Sequence, residues 1–146
     1  KGDYPFQIPY HSAFHTPLLN EITYLAKDKN SIDIFDKPKI PIIDGMGNIW
    51  SNFSTNINKL YDYTFGYQIV NPFDYTKAIT VAIKEFAPDK IILLGPGNSL
   101  GAPTAQILIK ENWLEMDSKE SFQAIQDEKS YIISMSRKEQ RLQVCR

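Results

Sequence analysis

The run Lys90-Ile91-Ile92-Leu93-Leu94 constrains this chain most. A strand with one face in water alternates apolar and polar residues. A strand that is apolar throughout reads as one covered on both faces, as in the parallel sheets of α/β proteins. Its flanks agree. Upstream, Tyr75, Ile79, Ala82, Ile83 and Phe86 recur at helical spacing, with Asp74 as a cap and Ala87-Pro88-Asp89 as a stop. That stripe reads as core packing. Downstream, Gly95-Pro96-Gly97-Asn98-Ser99-Leu100-Gly101 forms a tight loop, and a helix is predicted from about Ala102 to Asn112. Strands alternating with helices give α/β architecture, with a partly parallel sheet flanked by helices.

The rest of the chain fits around this unit. Residues 4–10 read as extended, and Pro5 and Pro9 suit an edge strand or a loop. A helix is predicted over 17–28, with Thr16 as its N-cap and Pro17 in its first turn. Lys39 to Ile43 is a short apolar strand. Asp44-Gly45-Met46-Gly47-Asn48 is turn chemistry, with two glycines available for positive φ, and Ile49-Trp50 resumes a strand. Ser54 or Thr55 is the expected cap of a helix from about Asn56 to Tyr67, which Asn71-Pro72 interrupts. Further on, a helix is predicted over 118–126 and a strand over 131–135, with 137–146 charged and exposed.

A chain of 146 residues suits a single segment of one domain. Its net charge of −1 argues against nucleic acid as the main partner. No apolar run approaches the ~20 residues of a membrane-spanning helix, and no secretory leader is expected. The single cysteine, Cys145, excludes an internal disulfide framework and fits a reducing compartment, so a cytoplasmic location is expected. It reads as an idle thiol. The opening at Lys1, already strand-like within a few residues, is what a piece of a longer polypeptide would show.

His15 is the candidate chemical residue. It sits where an extended segment meets a helix, which holds a side chain while leaving it accessible. His11 lies four residues before it, but Pro9 and Pro17 bracket the pair and a third ligand is lacking, so no metal site is expected. Gly97-Asn98-Ser99-Leu100-Gly101 fits the pattern G-x-S-x-G between a strand and a helix. On that pattern Ser99 is a candidate nucleophile with His15 as base, a small serine hydrolase or thioesterase. The histidine precedes the serine in the chain, the reverse of the usual order for that fold. A non-catalytic α/β module with a structural His15 is the third reading.

Four segments resemble one family in order and at similar spacing. Ala13-Phe14-His15-Thr16-Pro17-Leu18-Leu19 is similar to the histidine motif of the acyltransferases typified by malonyl-CoA:acyl carrier protein transacylase and by acyltransferase domains of polyketide and fatty acid synthases. Lys39 to Ile43 resembles the strand after the histidine helix. Gln68-Ile69-Val70-Asn71-Pro72-Phe73-Asp74-Tyr75-Thr76-Lys77 resembles the family's Gln-x-x-x-Pro-Val-x-Trp segment. Ile92 to Leu100 resembles its late Glu-x-Gly-Pro-Gly-x-x-Leu loop. The resemblance covers about residues 8–110, and 111–146 is an unmatched extension.

The resemblance implies the C-terminal part of an α/β-hydrolase-like large subdomain. It also implies ping-pong acyl transfer, with malonyl as the expected group. A serine takes the acyl group from acyl-CoA and passes it to the phosphopantetheine thiol of an acyl carrier protein. His15 would be the general base and acid, and the backbone carbonyl of Gln68 would orient it. No cofactor is implied, since acyl-CoA is the substrate. The family's serine elbow, oxyanion glutamine and malonyl-gripping arginine belong to its first two-thirds and have no counterpart here. Ser99 aligns with a non-catalytic position, the glutamate before Gly-Pro-Gly is replaced near Leu93-Leu94, and the family tryptophan is Tyr75. The chain alone is therefore expected to be inactive. It should show an apolar face where a missing N-terminal part would pack, and pair with that part or with itself.

Overall fold

A computed structural model describes residues 12–145, so the strand expected over 4–10, and His11, lie outside the described residues. The structure is mixed α/β with two small sheets, one of them parallel. It divides into two compact units, Lys1–Phe73 and Asp74–Arg146. No helix among the described residues is long and apolar enough to cross a membrane.

In the first unit, Pro17–Leu19 form a 3-10 turn that leads into helix α1, Asn20–Lys29. Thr16 does not cap it. Its hydroxyl donates back to the Ala13 carbonyl at 2.9 Å, which fixes the turn ahead of the helix. Leu18, Ile22 and Leu25 recur at helical spacing yet are exposed, Leu18 at 83%. Helical spacing reports the period of a segment, not what covers it. The strand expected over 39–43 contracts to β1, Ile42–Ile43, which pairs antiparallel with β2, Ile49–Trp50. Asn56, not Ser54 or Thr55, caps α2, Ile57–Asp62, accepting from the Lys59 amide at 3.2 Å. The chain then widens into a π turn over Tyr63–Tyr67 and closes with α3, Gln68–Val70. Phe35, Tyr61 and Phe65 meet edge to face, with centroids 5.3–5.7 Å apart. The Tyr61 hydroxyl donates to the Asn30 carbonyl at 2.7 Å and ties down the end of α1.

The second unit opens with α4, Tyr75–Phe86, capped by Asp74, whose side chain accepts from the Lys77 amide at 2.9 Å. Ala87 adopts left-handed backbone at φ 41° and ends the helix. Strand β3 is Ile91–Leu93 and pairs in parallel with β4, Ile132–Ser134. Between them run α5, Gly101–Lys110, and α6, Lys119–Lys129, capped by Ser118. A short helix α7, Lys138–Arg141, occupies part of the segment expected to be merely charged and exposed. Ile83, Leu108, Met116 and Ile133 are fully buried. Each such side chain is worth about 1.5–3 kcal/mol against exposure.

The two strands of the parallel pair differ at their outer edges. On β4, the Gln126 amide group both donates to the Ile132 carbonyl and accepts from the Ile132 amide, at 2.8 and 2.9 Å. Gln140 accepts from the Ser134 amide at 2.8 Å. Two glutamines thus supply what a further strand would. Among the described residues β3 has no strand partner but β4, and Ile92 and Leu94 are exposed at 44% and 81%.

Candidate active site

His15 and Gln68 meet in the first unit. The imidazole Nδ1 lies 2.5 Å from the Gln68 carbonyl oxygen. A carbonyl only accepts, so Nδ1 carries the proton and Nε2 is the basic nitrogen. His15 is exposed, and among the described residues its Nε2 has no hydrogen-bond partner.

Local sequence explains why this carbonyl is available. In a continuing helix, the Gln68 carbonyl would bond the amide four residues on. That residue is Pro72, which has no N–H. The helix ends at Val70, and the Asn71 amide is spent on the Tyr67 carbonyl at 3.0 Å. The Gln68 oxygen is therefore one of the orphan carbonyls of a helix C-terminus, and imidazole fills the vacancy.

His15 itself has left-handed backbone at φ 58°. A non-glycine residue in that region costs of order 1–3 kcal/mol and persists only where its surroundings hold it. The turn over Phe14 and His15, where sequence predicts extended chain, is what carries the ring to Gln68.

Phe73 flanks the histidine, with ring centroids 6.3 Å apart. The same ring lies against Gly45. A Cβ added there would stand 2.5 Å from Phe73 Cδ2. The two glycines of the Asp44 turn thus have different duties. Gly47 has positive φ, at 79°, whereas Gly45 permits a close approach. Asp44 is buried and accepts four hydrogen bonds: the Met46 amide at 2.8 Å, the Asn48 amide at 2.9 Å, and Asn48 Nδ2 and Trp50 Nε1 at 3.0 Å. The Gly45 amide donates to the Tyr63 hydroxyl at 2.8 Å. Burial holds the Tyr63 hydroxyl above its usual range, against the opposing effect of that bond, so it stays protonated.

Behind Phe73 is a cavity of about 380 Å³. Its walls include Phe35, Ile42, Ile43, Trp50, Leu60 and Phe73, and Gln68 reaches it as well. The structure brings together His15 and Gln68, the pair the sequence singles out, whereas this cavity, walled by several elements between Ile34 and Phe73, carries no signal in the sequence.

Ser99 belongs to the second unit. It is exposed in the loop between β3 and α5. That loop has positive φ at Gly95 and Gly97, and serines near β4 fasten it. Ser134 Oγ donates to Asn98 Oδ1 at 2.6 Å, and Ser136 Oγ donates to the Gly97 carbonyl at 2.9 Å. A nucleophile elbow instead turns directly from strand into helix with the serine at the turn. Cys145 is free and exposed. Among the described residues no group of three or more His, Cys, Asp or Glu is placed to hold a metal ion.

No family model matches the chain, and neither a curated protein nor a solved structure matches it.

Proposed function

We propose that this chain carries the histidine half of a serine–histidine acyltransferase, in the C-terminal part of an α/β-hydrolase-like large subdomain. The serine stands on a polypeptide segment absent from this chain. His15 Nε2 takes the serine proton as the hydroxyl attacks the acyl-CoA thioester. The serine oxygen–acyl bond forms, the carbon–sulfur bond breaks, and the imidazolium returns its proton to the leaving CoA thiolate. The phosphopantetheine thiol of an acyl carrier protein then enters by the same route in reverse, giving the acylated carrier and the free serine. Malonyl is the group that the sequence resemblance implies.

What supports the reading is the hydrogen bond from His15 Nδ1 to the Gln68 carbonyl. It joins the two residues that the resemblance pairs. It also fixes the tautomer with Nε2 as base, without the full charge of a carboxylate partner.

The test is intact-mass spectrometry after incubation with malonyl-CoA and, separately, acetyl-CoA, on this chain alone and with any co-purifying polypeptide. The expected result is an acyl adduct on the companion only when this chain is present, lost with His15→Ala. An adduct mapped to Ser99, or transfer indifferent to His15→Ala, overturns the reading.

A further inference from the structure

The cavity behind Phe73 has a chemistry that the transfer step leaves unused. Its volume of about 380 Å³ lies within the range of small-molecule sites, roughly 300–1,000 Å³. It has room for about a dozen methylene-sized units, at about 30 Å³ each, the share of one water in the liquid. Its walls are mainly aliphatic and aromatic, with Asp36, Asp44, Thr64 and Gln68 as polar members, and among the described residues no lysine or arginine lines it. Two acidic residues line it: Asp44 is committed to four internal donors, and Asp36 adds a second carboxylate that disfavours an anionic group nearby. A small dicarboxylate therefore finds no counter-charge here, and desolvating it would go uncompensated. A hydrocarbon chain leaves water with nothing to compensate.

The cavity also shares groups with His15. Gln68 lines it and holds the imidazole, while Phe73 lines it and flanks the imidazole ring. A chain seated against Phe73 would touch the ring that also flanks the imidazole, although His15 itself does not line the cavity.

We propose that this cavity binds an unbranched aliphatic acyl chain of medium length, with Phe73 as the wall it shares with His15. That the ligand is an acyl group rests on the acyl-transfer reading of His15; that it is aliphatic rests on the walls alone. Gly45 sets the shape of the site. Because it has no Cβ, the Phe73 ring can lie against the Asp44 turn and leave the interior open.

Trp50 lies in the wall and is one of the chain's two tryptophans, so Trp113→Phe leaves it as the sole indole reporter. In that background, titration with decanoate is expected to give a saturable change in Trp50 emission, and malonate none. Ile43→Phe and Thr64→Phe should each weaken decanoate binding by about tenfold, the order expected when roughly two methylenes lose their place. A diazirine-bearing decanoate, photolysed on the unmodified chain and mapped by mass spectrometry, needs no variant to fold. Label on the cavity walls within residues 34–73 supports the site. Absence of saturable binding, binding unchanged in both folded filling variants, or label confined to other segments overturns it. Transfer that requires His15 without decanoate binding sinks the cavity inference alone. Cavity labelling alongside transfer that ignores His15 sinks the acyl-transfer reading alone.

Discussion

His15 Nδ1 donates to the carbonyl of Gln68, a residue 53 positions later in the chain. The bond links a strained turn to a helix end, and the opposite ring nitrogen has no hydrogen-bond partner among the described residues. In the active assembly, His15→Ala is expected to lower the transfer rate by about 10²–10⁴-fold, the usual contribution of a positioned acid–base group. A loss below tenfold in a rate assay would remove His15 from the chemistry.

Pro72 protects that bond by what it lacks. Pro72→Ala supplies an amide four residues beyond Gln68, able to extend the helix and compete for the same carbonyl. Long-range proton–nitrogen NMR of the imidazole should show one dominant tautomer in the unmodified chain, protonated at Nδ1, and a mixture in the variant. An unchanged tautomer in the variant would mean that the proline is incidental.

The backbone at His15 should be measurable as strain. His15→Gly and His15→Ala both lose the imidazole, but only glycine accepts φ 58° without a Cβ penalty. The glycine variant is expected to be more stable than the alanine variant by about 1 kcal/mol in denaturant unfolding. Equal midpoints would show that the turn relaxes.

Much of this was legible beforehand, and the reasons are local. Asp74 precedes a regular apolar stripe and caps it as expected, because cap and stripe belong to one continuous segment. Asn71-Pro72 marked the break that frees Gln68. Other features needed the tertiary structure. Thr16 had the right identity for a cap, yet its hydroxyl found the Ala13 carbonyl instead. The π turn over Tyr63–Tyr67 has no side-chain signature. Gly45 has the sequence context of a turn glycine, and only the folded chain shows Phe73 against it. The cavity is illegible for the same reason, since its walls come from several short elements between Ile34 and Phe73 that only folding brings together.

Asp44 is expected to matter for stability more than its turn position suggests. Asp44→Ala would strand the Met46 and Asn48 amides and the Trp50 indole N–H in a partly buried site. The expected cost is about 3 kcal/mol, since each buried donor left unpaired costs about 1–3 kcal/mol when water does not replace the partner. Denaturant unfolding followed by Trp50 emission in the Trp113→Phe background reads it, and a cost under about 1 kcal/mol would mean that water takes the vacated place.

The second unit should be acid-sensitive through Glu111. Its hydrogen bond to Lys84, followed by the charges of Lys84 and Lys110 and a hydrogen bond with Thr80, holds this carboxyl below its usual 4.5 despite some desolvation. A depressed carboxyl contributes stability above its ordinary value and loses it as pH falls through the lowered one. The thermal midpoint should therefore fall as pH drops below about 4.5, and fall less steeply in Glu111→Gln. Parallel pH profiles for the two proteins would assign the acid sensitivity elsewhere.

The glutamines on β4 give this small sheet a direction. With Gln126 and Gln140 occupying one margin, the ladder is closed on that side, and among the described residues it has no strand on the other. Among the described residues β3 has no further strand beside it, so a strand added to this sheet would join there. Replacing either amide by a shorter side chain would open a second front and turn a terminus of the sheet into an interior position.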